Sequence, residues 1–399
     1  MIVVGAGPAG LAAAEVLASQ GIAVILHERM PSPARKFLLA GRGGLNLTHS
    51  ESLERFLDRY GPMRPQLEAA IRAFPPEALR TWCEALGLPT FVGSSGRIFP
   101  RSMKASPLLR AWLRRLDGLG VKLVTRSRWL GWEDGALSFE TPGGVVVERP
   151  DAAIFALGGA SWPRLGSDGA WQAAFAAHGV DISPLRSANS GFHAAWSEKL
   201  RERFAGEPLK TAGFSFAGTT VRGEAMITRD GLEGGAIYAL SRDLREAISA
   251  RGFADLIIDL RPDVSEEALL ARLSLDAGKG LSTANRLRRA GLSPLAATLL
   301  RERVGGPSLP PAPAEIVAAI KHCAIRLTGV TAIDRAISTA GGIAWQSIAP
   351  DFSLRGDPRA FVCGEMLDWE APTGGYLLQA CFATGRAAGL GALARIRAQ

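Results

Sequence analysis

The most constraining feature of the chain is a glycine-rich turn between an apolar run and a helix-forming run. The turn holds three glycines in a G-x-G-x-x-G spacing, Gly5, Gly7 and Gly10. In such a turn the first glycine permits a tight bend, the second lets the backbone approach a pyrophosphate, and the third lets the helix pack closely. The N–H groups and the positive end of the helix dipole then face the phosphates. The turn, with Pro8 and Ala9 inside it, predicts the pyrophosphate site of a dinucleotide.

An acidic residue follows at the spacing expected of this arrangement. A second apolar run ends at Glu28, eighteen positions after Gly10, and Gly21 between them is a candidate C-cap of the helix. An acid at this position hydrogen-bonds a ribose hydroxyl of a bound dinucleotide. Arg29 and Lys36 are candidate cations for the pyrophosphate or the adenine. Because these features agree, we predict an adenine dinucleotide site; the alternative is an ordinary glycine-rich turn in an α/β core.

Composition limits the class of protein. A chain of 399 residues that is 47% hydrophobic is long enough for two or three domains, and no apolar run approaches the ~20 residues of a spanning helix. No signal peptide precedes the first strand, so the expected location is cytoplasmic, without a membrane partner. The five histidines and four cysteines show no metal-ligand spacing, which predicts reduced thiols and no metal.

The predicted secondary structure changes in character twice along the chain. Strands and helices alternate at first, β-rich sequence begins after about Pro184, and a mainly helical stretch with clustered prolines follows it. We therefore predict an α/β fold with a discontinuous nucleotide-binding domain at 1–185 and 335–399. A β-rich unit at 186–240 and 328–334 and a helical subdomain at 241–327 are predicted as insertions.

Five further motifs occur in order along the chain. They are residues 41–48 (GRGGLNLT), 96–100 (GRIFP), 156–163 (ALGGASWP), 339–342 (TAGG) and 361–368 (FVCGEMLD), the last followed by 372–379 (PTGGYLLQ). With the N-terminal turn they resemble the two-dinucleotide-binding-domain class of FAD flavoproteins, which have a Rossmann-type FAD-binding domain. More narrowly, nearly the whole chain resembles a bacterial family of NAD(P)/FAD-dependent flavoprotein oxidoreductases. That family includes proteins linked to bile-acid dehydroxylation and a ribosomal RNA dihydrouridine synthase.

The resemblance implies cofactor contacts in the first of these motifs. Gly43 and Gly44 would let the backbone approach the flavin ring and the pyrophosphate, while Asn46 and Thr48 would supply hydrogen-bonding groups. The family usually reads Gly-Gly-Gly-Arg-Cys-Asn here. Gly44 stands at the usual Arg position and Leu45 at the usual Cys position. Chemistry that needs that thiol is therefore absent, which is typical of a divergent branch.

The resemblance implies further contacts in the later motifs. Gly158 and Gly159 would pass under the adenine half of FAD, and Glu365, after Gly364, would bind a ribityl hydroxyl. The remaining implied contacts stand at the start of the last helix and are Gly374, Gly375 and Tyr376.

Two basic segments are candidates for anionic partners. Arg97, Arg101 and Lys104 lie in a turn-rich segment that would suit an anionic substrate or a nicotinamide phosphate. A second group, on predicted helices of the insertion, comprises Arg286, Arg288, Arg289, Arg301 and Arg303. The net charge of +8 permits an RNA backbone as the partner of this second group, and a solvated helix face is the alternative for both.

The resemblance implies an FAD-dependent oxidoreductase that transfers hydride between NAD(P)H, the flavin and an unsaturated substrate. That substrate is a small molecule or a base of ribosomal RNA. No second G-x-G-x-x-G turn follows a strand, so NAD(P)H would be a transient donor in the same cleft, or another donor serves. A dehydrogenase or oxidase of a small metabolite, with oxygen as acceptor, and a non-catalytic FAD-binding RNA-associated or regulatory protein stay open. We assign no catalytic side chain and no oligomeric state.

Overall fold

The computed structural model describes residues 1–62, 64–275, 282–304, 310 and 312–398. The chain forms two compact units. The first comprises Met1–Arg186 and Ile337–Gln399, and the second comprises Ser187–Ala336.

Up to the insertion, strands and helices follow one another in this order: β1 (Ile2–Val4), α1 (Pro8–Ala18), β2 (Ile25–Glu28), α2 (Arg35–Ala40), β3 (Thr48–His49), α3 (Leu53–Asp58), α4 (Pro65–Ala73), α5 (Pro76–Ala85), β4 (Thr90–Val92), β5 (Arg97–Pro100), α6 (Ala105–Gly118), β6 (Lys122–Thr125), β7 (Arg128–Glu133), β8 (Ala136–Thr141), β9 (Gly144–Glu148), β10 (Ala153–Phe155), α7 (Trp171–Ala177) and β11 (Ile182–Ala188). The rest of the chain contains β12 (Phe192–Ala194), α8 (Glu198–Phe204), β13 (Pro208–Phe216), β14 (Thr219–Thr228), β15 (Gly231–Glu233), α9 (Gly235–Ala239), α10 (Ser241–Arg251), β16 (Ala254–Asp259), α11 (Glu266–Ser274), α12 (Thr283–Arg289), α13 (Pro294–Arg303), α14 (Pro313–Lys321), β17 (Cys323–Val330), β18 (Ser338–Ile343), β19 (Ala360–Val362) and α15 (Tyr376–Arg397).

A five-stranded parallel sheet organises the first unit, with the strand order β19-β10-β1-β2-β6. Three of its five strands, β1, β10 and β19, are buried along their whole length, as parallel strands covered on both faces usually are. The register places Val3 beside Leu26 and Ile154. The prediction of a Rossmann-type sheet is confirmed, and the carboxyl ends of β1, β2, β10 and β19 meet at one edge.

Small residues bring the first and last helices into close contact. A Cβ at Gly385 would lie 2.2 Å from the carbonyl oxygen of Ala9, and one at Gly389 would lie 3.0 Å from the Cβ of Val16. The first distance leaves no room for a side chain and the second is tight, so α15 packs closely against α1. The two ends of the polypeptide therefore meet beside the glycine turn.

A small antiparallel sheet in the first unit joins two of the sequence motifs. Its order is β3-β5-β4, and Thr48 pairs with Ile98 while His49 pairs with Arg97. The motifs at 41–48 and 96–100, about fifty residues apart, are thus neighbours.

The second unit is built around a closed six-stranded barrel of order β12-β15-β14-β13-β16-β17. The outer boundaries that we predicted, 185 and 335, lie close to the observed 186 and 337. The prediction of a separate helical subdomain at 241–327 needs correction, because β16 and most of β17 fall inside this range. The helices of this stretch share one apolar core with the barrel, including Leu273 and Leu299. The alternating burial along β16 is the signal that the sequence reading missed.

Among the described residues, none of the helices combines the length and the apolar character needed to traverse a bilayer.

Candidate functional site

The three glycines of the N-terminal turn have different physical roles. Gly5 has φ +101°, and a Cβ there would lie 2.4 Å from the carbonyl oxygen of Ala156 at the end of β10. A Cβ at Gly10 would lie 1.9 Å from the carbonyl oxygen of Gly5. Gly7 differs, because among the described residues no atom beyond its two chain neighbours lies within 4 Å of its Cβ position, and Gly7 lines an open cavity. Packing within the protein thus explains Gly5 and Gly10, and space for a ligand explains Gly7.

Gly7 is also the N-cap residue of α1, and no described side chain caps this helix. The N–H groups of the first turn are therefore available to an anion at the positive end of the helix dipole.

The carboxylate of Glu28 is held in a fixed orientation beside the turn. Its Oε2 accepts a hydrogen bond from the N–H of Ala6 at 3.0 Å, and its Oε1 accepts one from the N–H of Met30 at 2.8 Å. Burial raises the pKa of the Glu28 carboxyl, and these backbone bonds, with the neighbouring arginines, oppose the rise. The residue lines the same cavity as Gly7, where an acid would meet a ribose hydroxyl.

This first cavity has a volume of about 320 Å³ and lies at the carboxyl edge of the parallel sheet. The sequence-predicted residues that line it come from five segments and are Gly5, Gly7, Pro8, Ala9, Glu28, Arg29, Lys36, Gly158, Gly364 and Glu365. Arg29 pairs with Asp168 at 2.5 Å, so this predicted cation is already partly neutralised. Ser167 also lines the cavity, and its buried hydroxyl has no hydrogen-bond partner among the described residues.

A second cavity of about 460 Å³ is lined by three predicted residues that do not reach the first one, Asn46, Gly374 and Gly375. Most of its other walls are apolar side chains, including Leu39, Leu45, Trp162, Trp369, Leu377 and Leu378. The buried amide oxygen of Asn46 has no hydrogen-bond partner among the described residues. An unpaired buried acceptor costs free energy unless a donor reaches it, so this atom indicates a ligand.

The two cavities adjoin each other, because they have lining residues in common. These shared residues are Pro8, Lys36, Phe37, Glu365 and Cys381. At the junction the Lys36 Nζ lies 2.7 Å from the Glu365 Oε2, and Lys36 also donates to the Ser161 hydroxyl. The other oxygen of Glu365 accepts the N–H of Thr339 at 3.1 Å. The junction is therefore electrically neutral and polar, between one cavity beside a helix N-terminus and another with mostly apolar walls.

Two predicted ligands do not reach either cavity. Thr48 is fully buried in β3, where a Cβ on Gly375 would lie 2.4 Å from the Thr48 Cα. Tyr376 turns away from the cavity, and its hydroxyl donates to the Glu51 Oε1 at 2.5 Å while its ring packs against Phe56. The side chains of Thr48 and Tyr376 support the Gly374–Gly375 segment from behind, and the predicted cofactor contacts of these two residues stay predictions. Sequence position alone did not reveal which way these side chains point.

The hydrogen bond from Tyr376 also helps to lower the pKa of the Glu51 carboxyl. Burial acts to raise the pKa of the Glu51 carboxyl, but hydrogen bonds from Arg59 and Tyr376 outweigh it and hold the pKa below its ordinary value of 4.5. Arg59 donates to both oxygens of this carboxylate, at 3.2 and 2.7 Å.

Four predicted glycines line neither cavity. A Cβ on Gly159 would lie 2.4 Å from the Thr339 Oγ1, so this residue packs behind the junction. Gly44 has φ +115° and faces Met103, Gly43 is exposed with no atom near its Cβ position, and Gly10 is internal to α1. Gly43, Gly44 and Gly159 thus shape the loops around the site, and Gly10 lets α1 pack against the glycine turn.

The sequence reading missed several wall residues, among them Phe37, Trp369 and Cys381. A signal existed for Cys381, because it lies four positions after Leu377 and therefore on the same face of α15. Gln379, two positions after Leu377, is fully buried instead and donates to the carbonyl oxygen of Phe74 at 2.6 Å. Among the residues that the structure describes, no group of three or more histidine, cysteine or acidic side chains is arranged to hold a metal ion.

The parallel sheet, the uncapped N-terminus of α1 and the two adjoining cavities define a dinucleotide-binding flavoprotein of the Rossmann class. The chain belongs to the HI0933-like family: the family model described as "HI0933-like protein Rossmann domain" matches residues 1–391.

Known proteins resemble the chain over nearly its whole length. A 3-dehydro-bile acid delta(4,6)-reductase from Clostridium scindens is 26% identical over 98% of both chains. The solved structure of a 3-ketosteroid delta1-dehydrogenase from Sterolibacterium denitrificans has a TM-score of 0.53 at 12% identity, covering 98% of this chain and 99% of that one. A 3-ketosteroid-delta4-(5alpha)-dehydrogenase from Rhodococcus jostii RHA1 has a TM-score of 0.50 at 16% identity, covering 98% and 96%. At these identities the solved structures establish the fold alone.

The sequence predictions of FAD as the cofactor and of an FAD-dependent oxidoreductase are confirmed by the family and the curated relative. The likeness to a ribosomal RNA dihydrouridine synthase and the use of NAD(P)H stay predictions.

Proposed function

We propose that this protein is an FAD-dependent reductase of a carbon–carbon double bond conjugated with a carbonyl group in a fused-ring, largely apolar small molecule. The observation that carries the proposal is the second cavity, which has mostly apolar walls and adjoins the dinucleotide cavity. A site with such walls and few polar groups suits a hydrophobic small molecule better than a nucleic-acid base on a charged backbone. The relative named as a bile-acid reductase supports this choice.

FAD, when bound, supplies the hydride chemistry that protein side chains lack. Each part of the chain would then hold or position it. The turn at Gly7 and the N-terminus of α1 would bind the pyrophosphate, and Glu28 would bind a ribose hydroxyl. The Lys36–Glu365 pair at the junction would meet the ribityl hydroxyls, since both groups exchange hydrogen bonds readily.

The second cavity would hold the ring system and the substrate. The orphan amide oxygen of Asn46 would accept a hydrogen bond from a ring N–H. Gly374 and Gly375, at the start of α15, would stabilise negative charge near the helix N-terminus. The apolar walls, which include Leu377 and Trp369, would exclude water from the substrate.

We propose NAD(P)H as the electron donor. The chain has no second glycine fingerprint, so a nicotinamide would enter the second cavity before the substrate does. Alternating use of one cavity predicts a ping-pong rate law, in which the donor and the substrate compete with each other.

The test is a pair of anaerobic half-reactions on the purified yellow protein. NADPH or NADH is mixed first, and loss of the flavin absorbance band measures reduction. A 3-oxo-4-ene steroid is then added to the reduced protein, and the band should return while the steroid gains two hydrogen atoms by mass spectrometry. If neither nicotinamide bleaches the band but dithionite does, and the steroid then restores it, only the donor is refuted. If the steroid never restores it, the substrate class is refuted.

Ribosomal RNA as a partner remains a separate prediction. Arg288 and Arg303 of the second basic group are exposed, whereas Arg286 and Arg301 are half-buried with a shielded Nε. A group that is partly buried offers fewer cations to a phosphate backbone. Binding to ribosomal RNA that weakens steeply with salt would support this partner.

A further inference from the structure

The charged side chains that line the second cavity are Lys36, Glu365 and Arg97. Lys36 and Glu365 neutralise each other at 2.7 Å. The Arg97 guanidinium makes no ion pair and no hydrogen bond with any residue that the structure describes. Arg97 therefore gives the cavity a net positive charge, and no described residue forms an ion pair with it.

The backbone beneath Arg97 is held firmly. Arg97 pairs with His49 across the β3–β5 ladder, and its carbonyl oxygen accepts the N–H of Gly93 at 2.8 Å. The preceding Gly96 has φ +79° and leaves no space for a Cβ, which would lie 2.6 Å from the His49 ring. The His49 ring in turn is 3.0 Å from the Ser95 carbonyl oxygen. Strand pairing and this tight turn fix the point from which the guanidinium reaches the cavity.

We propose that Arg97 binds a carboxylate carried by the otherwise apolar substrate, so that the physiological substrate is a fused-ring carboxylic acid. This inference rests on the proposed function. A guanidinium presents parallel N–H groups that match the two oxygens of a carboxylate. In a mostly apolar cavity such a contact discriminates between ligands. An uncharged analogue would lose the charged hydrogen bonds to Arg97, and a ligand with its anionic group at another position would bury that charge without a partner.

The position of Arg97 would set the orientation of the substrate in the cavity. One end of the ligand would lie at Arg97, and its ring system would lie along Trp162, Trp369 and Leu377. The carboxylate would thus belong to a side chain away from the reacting double bond, and Arg97 would be a specificity-determining residue with no part in hydride transfer.

The experiment compares Arg97→Gln and Arg97→Lys with Arg110→Gln, all loaded with FAD. Arg110 is an exposed arginine on α6 that lines neither cavity, so its variant controls for the loss of one positive charge. The probes are a 3-oxo-4-ene steroid with a side-chain carboxylate and its methyl ester. Their affinity for the oxidised protein is measured by quenching of tryptophan fluorescence, which Trp162 and Trp369 would report. The rate of flavin reduction by NADPH without steroid is measured in parallel.

We expect Arg97→Gln to weaken binding of the acid by about 10- to 100-fold, which corresponds to loss of a charge-assisted hydrogen-bonded pair. Binding of the ester by Arg97→Gln should stay unchanged, and Arg110→Gln should bind both probes as the wild type does. Arg97→Lys should recover part of the affinity for the acid, because it keeps the charge but loses the paired donors.

The contrary outcomes separate the two proposals. If the wild-type protein binds and reduces both probes but Arg97→Gln affects them equally, the carboxylate inference fails and the proposed function stands. If Arg97→Gln slows flavin reduction by NADPH and leaves the affinity for the acid unchanged, Arg97 binds a nicotinamide phosphate and the inference is refuted. If the wild-type protein binds neither probe, the proposed substrate class fails, and the inference fails with it.

Discussion

Replacing Gly7 by valine tests the assignment of the glycine turn, because the structure predicts loss of FAD without loss of the fold. Gly7 has φ −80° and ψ 180°, an extended conformation that valine adopts readily. No atom lies within 4 Å of its Cβ position. A β-branched residue is a poorer N-cap than glycine, but it also restricts the unfolded chain. The opposing effects should leave the unfolding free energy of the FAD-free protein within about 1 kcal/mol of wild type.

The same valine side chain would occupy the space in front of the first turn of α1. Each hydrogen bond from a backbone N–H to a charged phosphate contributes about 1.5–3 kcal/mol. Displacing the pyrophosphate from two such donors would cost about 3–6 kcal/mol, which weakens FAD binding by about 150-fold to 20,000-fold. The expected product is a folded, colourless protein.

The assay has three readings: the flavin-to-protein ratio after purification, the Kd for FAD added to the FAD-free protein, and the urea midpoint of the FAD-free protein. Gly10→Ala is the matched control, because its Cβ would lie 1.9 Å from the Gly5 carbonyl oxygen. That overlap should lower the unfolding free energy by about 1–3 kcal/mol. If Gly7→Val retains a full complement of FAD, the pyrophosphate is not at this turn. If it unfolds as easily as Gly10→Ala, the reasoning from free space is wrong.

Three further predictions concern the surroundings of the cavity. Lys36→Met should lower the unfolding free energy by about 1–3 kcal/mol in urea titrations, because it leaves the mostly buried Glu365 carboxylate without its cation, and an unchanged midpoint would contradict this. Because the folded-state pKa of Glu51 is lowered, its charged form stabilises the fold above the ordinary value of 4.5, and that contribution is lost as the pH falls through the folded-state pKa. Thermal unfolding should therefore depend more steeply on acid pH in wild type than in Glu51→Gln; parallel pH profiles would refute this origin. Burial raises the pKa of the Cys381 thiol to about 12, so iodoacetamide at neutral pH should modify it slowly, and added FAD should slow the reaction further by mass spectrometry. Equal rates with and without FAD would show that Cys381 does not face the cofactor.

Local patterns predicted the parts of the fold that depend on a few consecutive residues. The strand, the glycine turn, the helix and Glu28 lie within 28 positions, and the constraints on glycine conformation and strand burial act over that range. The family motifs extended these predictions to the start of the last helix, because the motifs mark short segments with special backbone geometry. The barrel strand β16 was missed because six residues of alternating burial stand among longer helical patterns.

Tertiary structure alone decided which of these segments face one another and which side chains point into the cavity. Lys36 and Glu365 form an ion pair across 329 positions, and no local pattern encodes that contact. Tyr376 and Leu377 are adjacent in sequence, yet the first packs toward Glu51 and the second lines the cavity, since successive helical residues point about 100° apart. The chain by itself thus determined that it binds a dinucleotide, because backbone geometry at the turn is a local property. The walls of the second cavity, Arg97 among them, emerged only from packing, because they depend on contacts between segments distant in sequence.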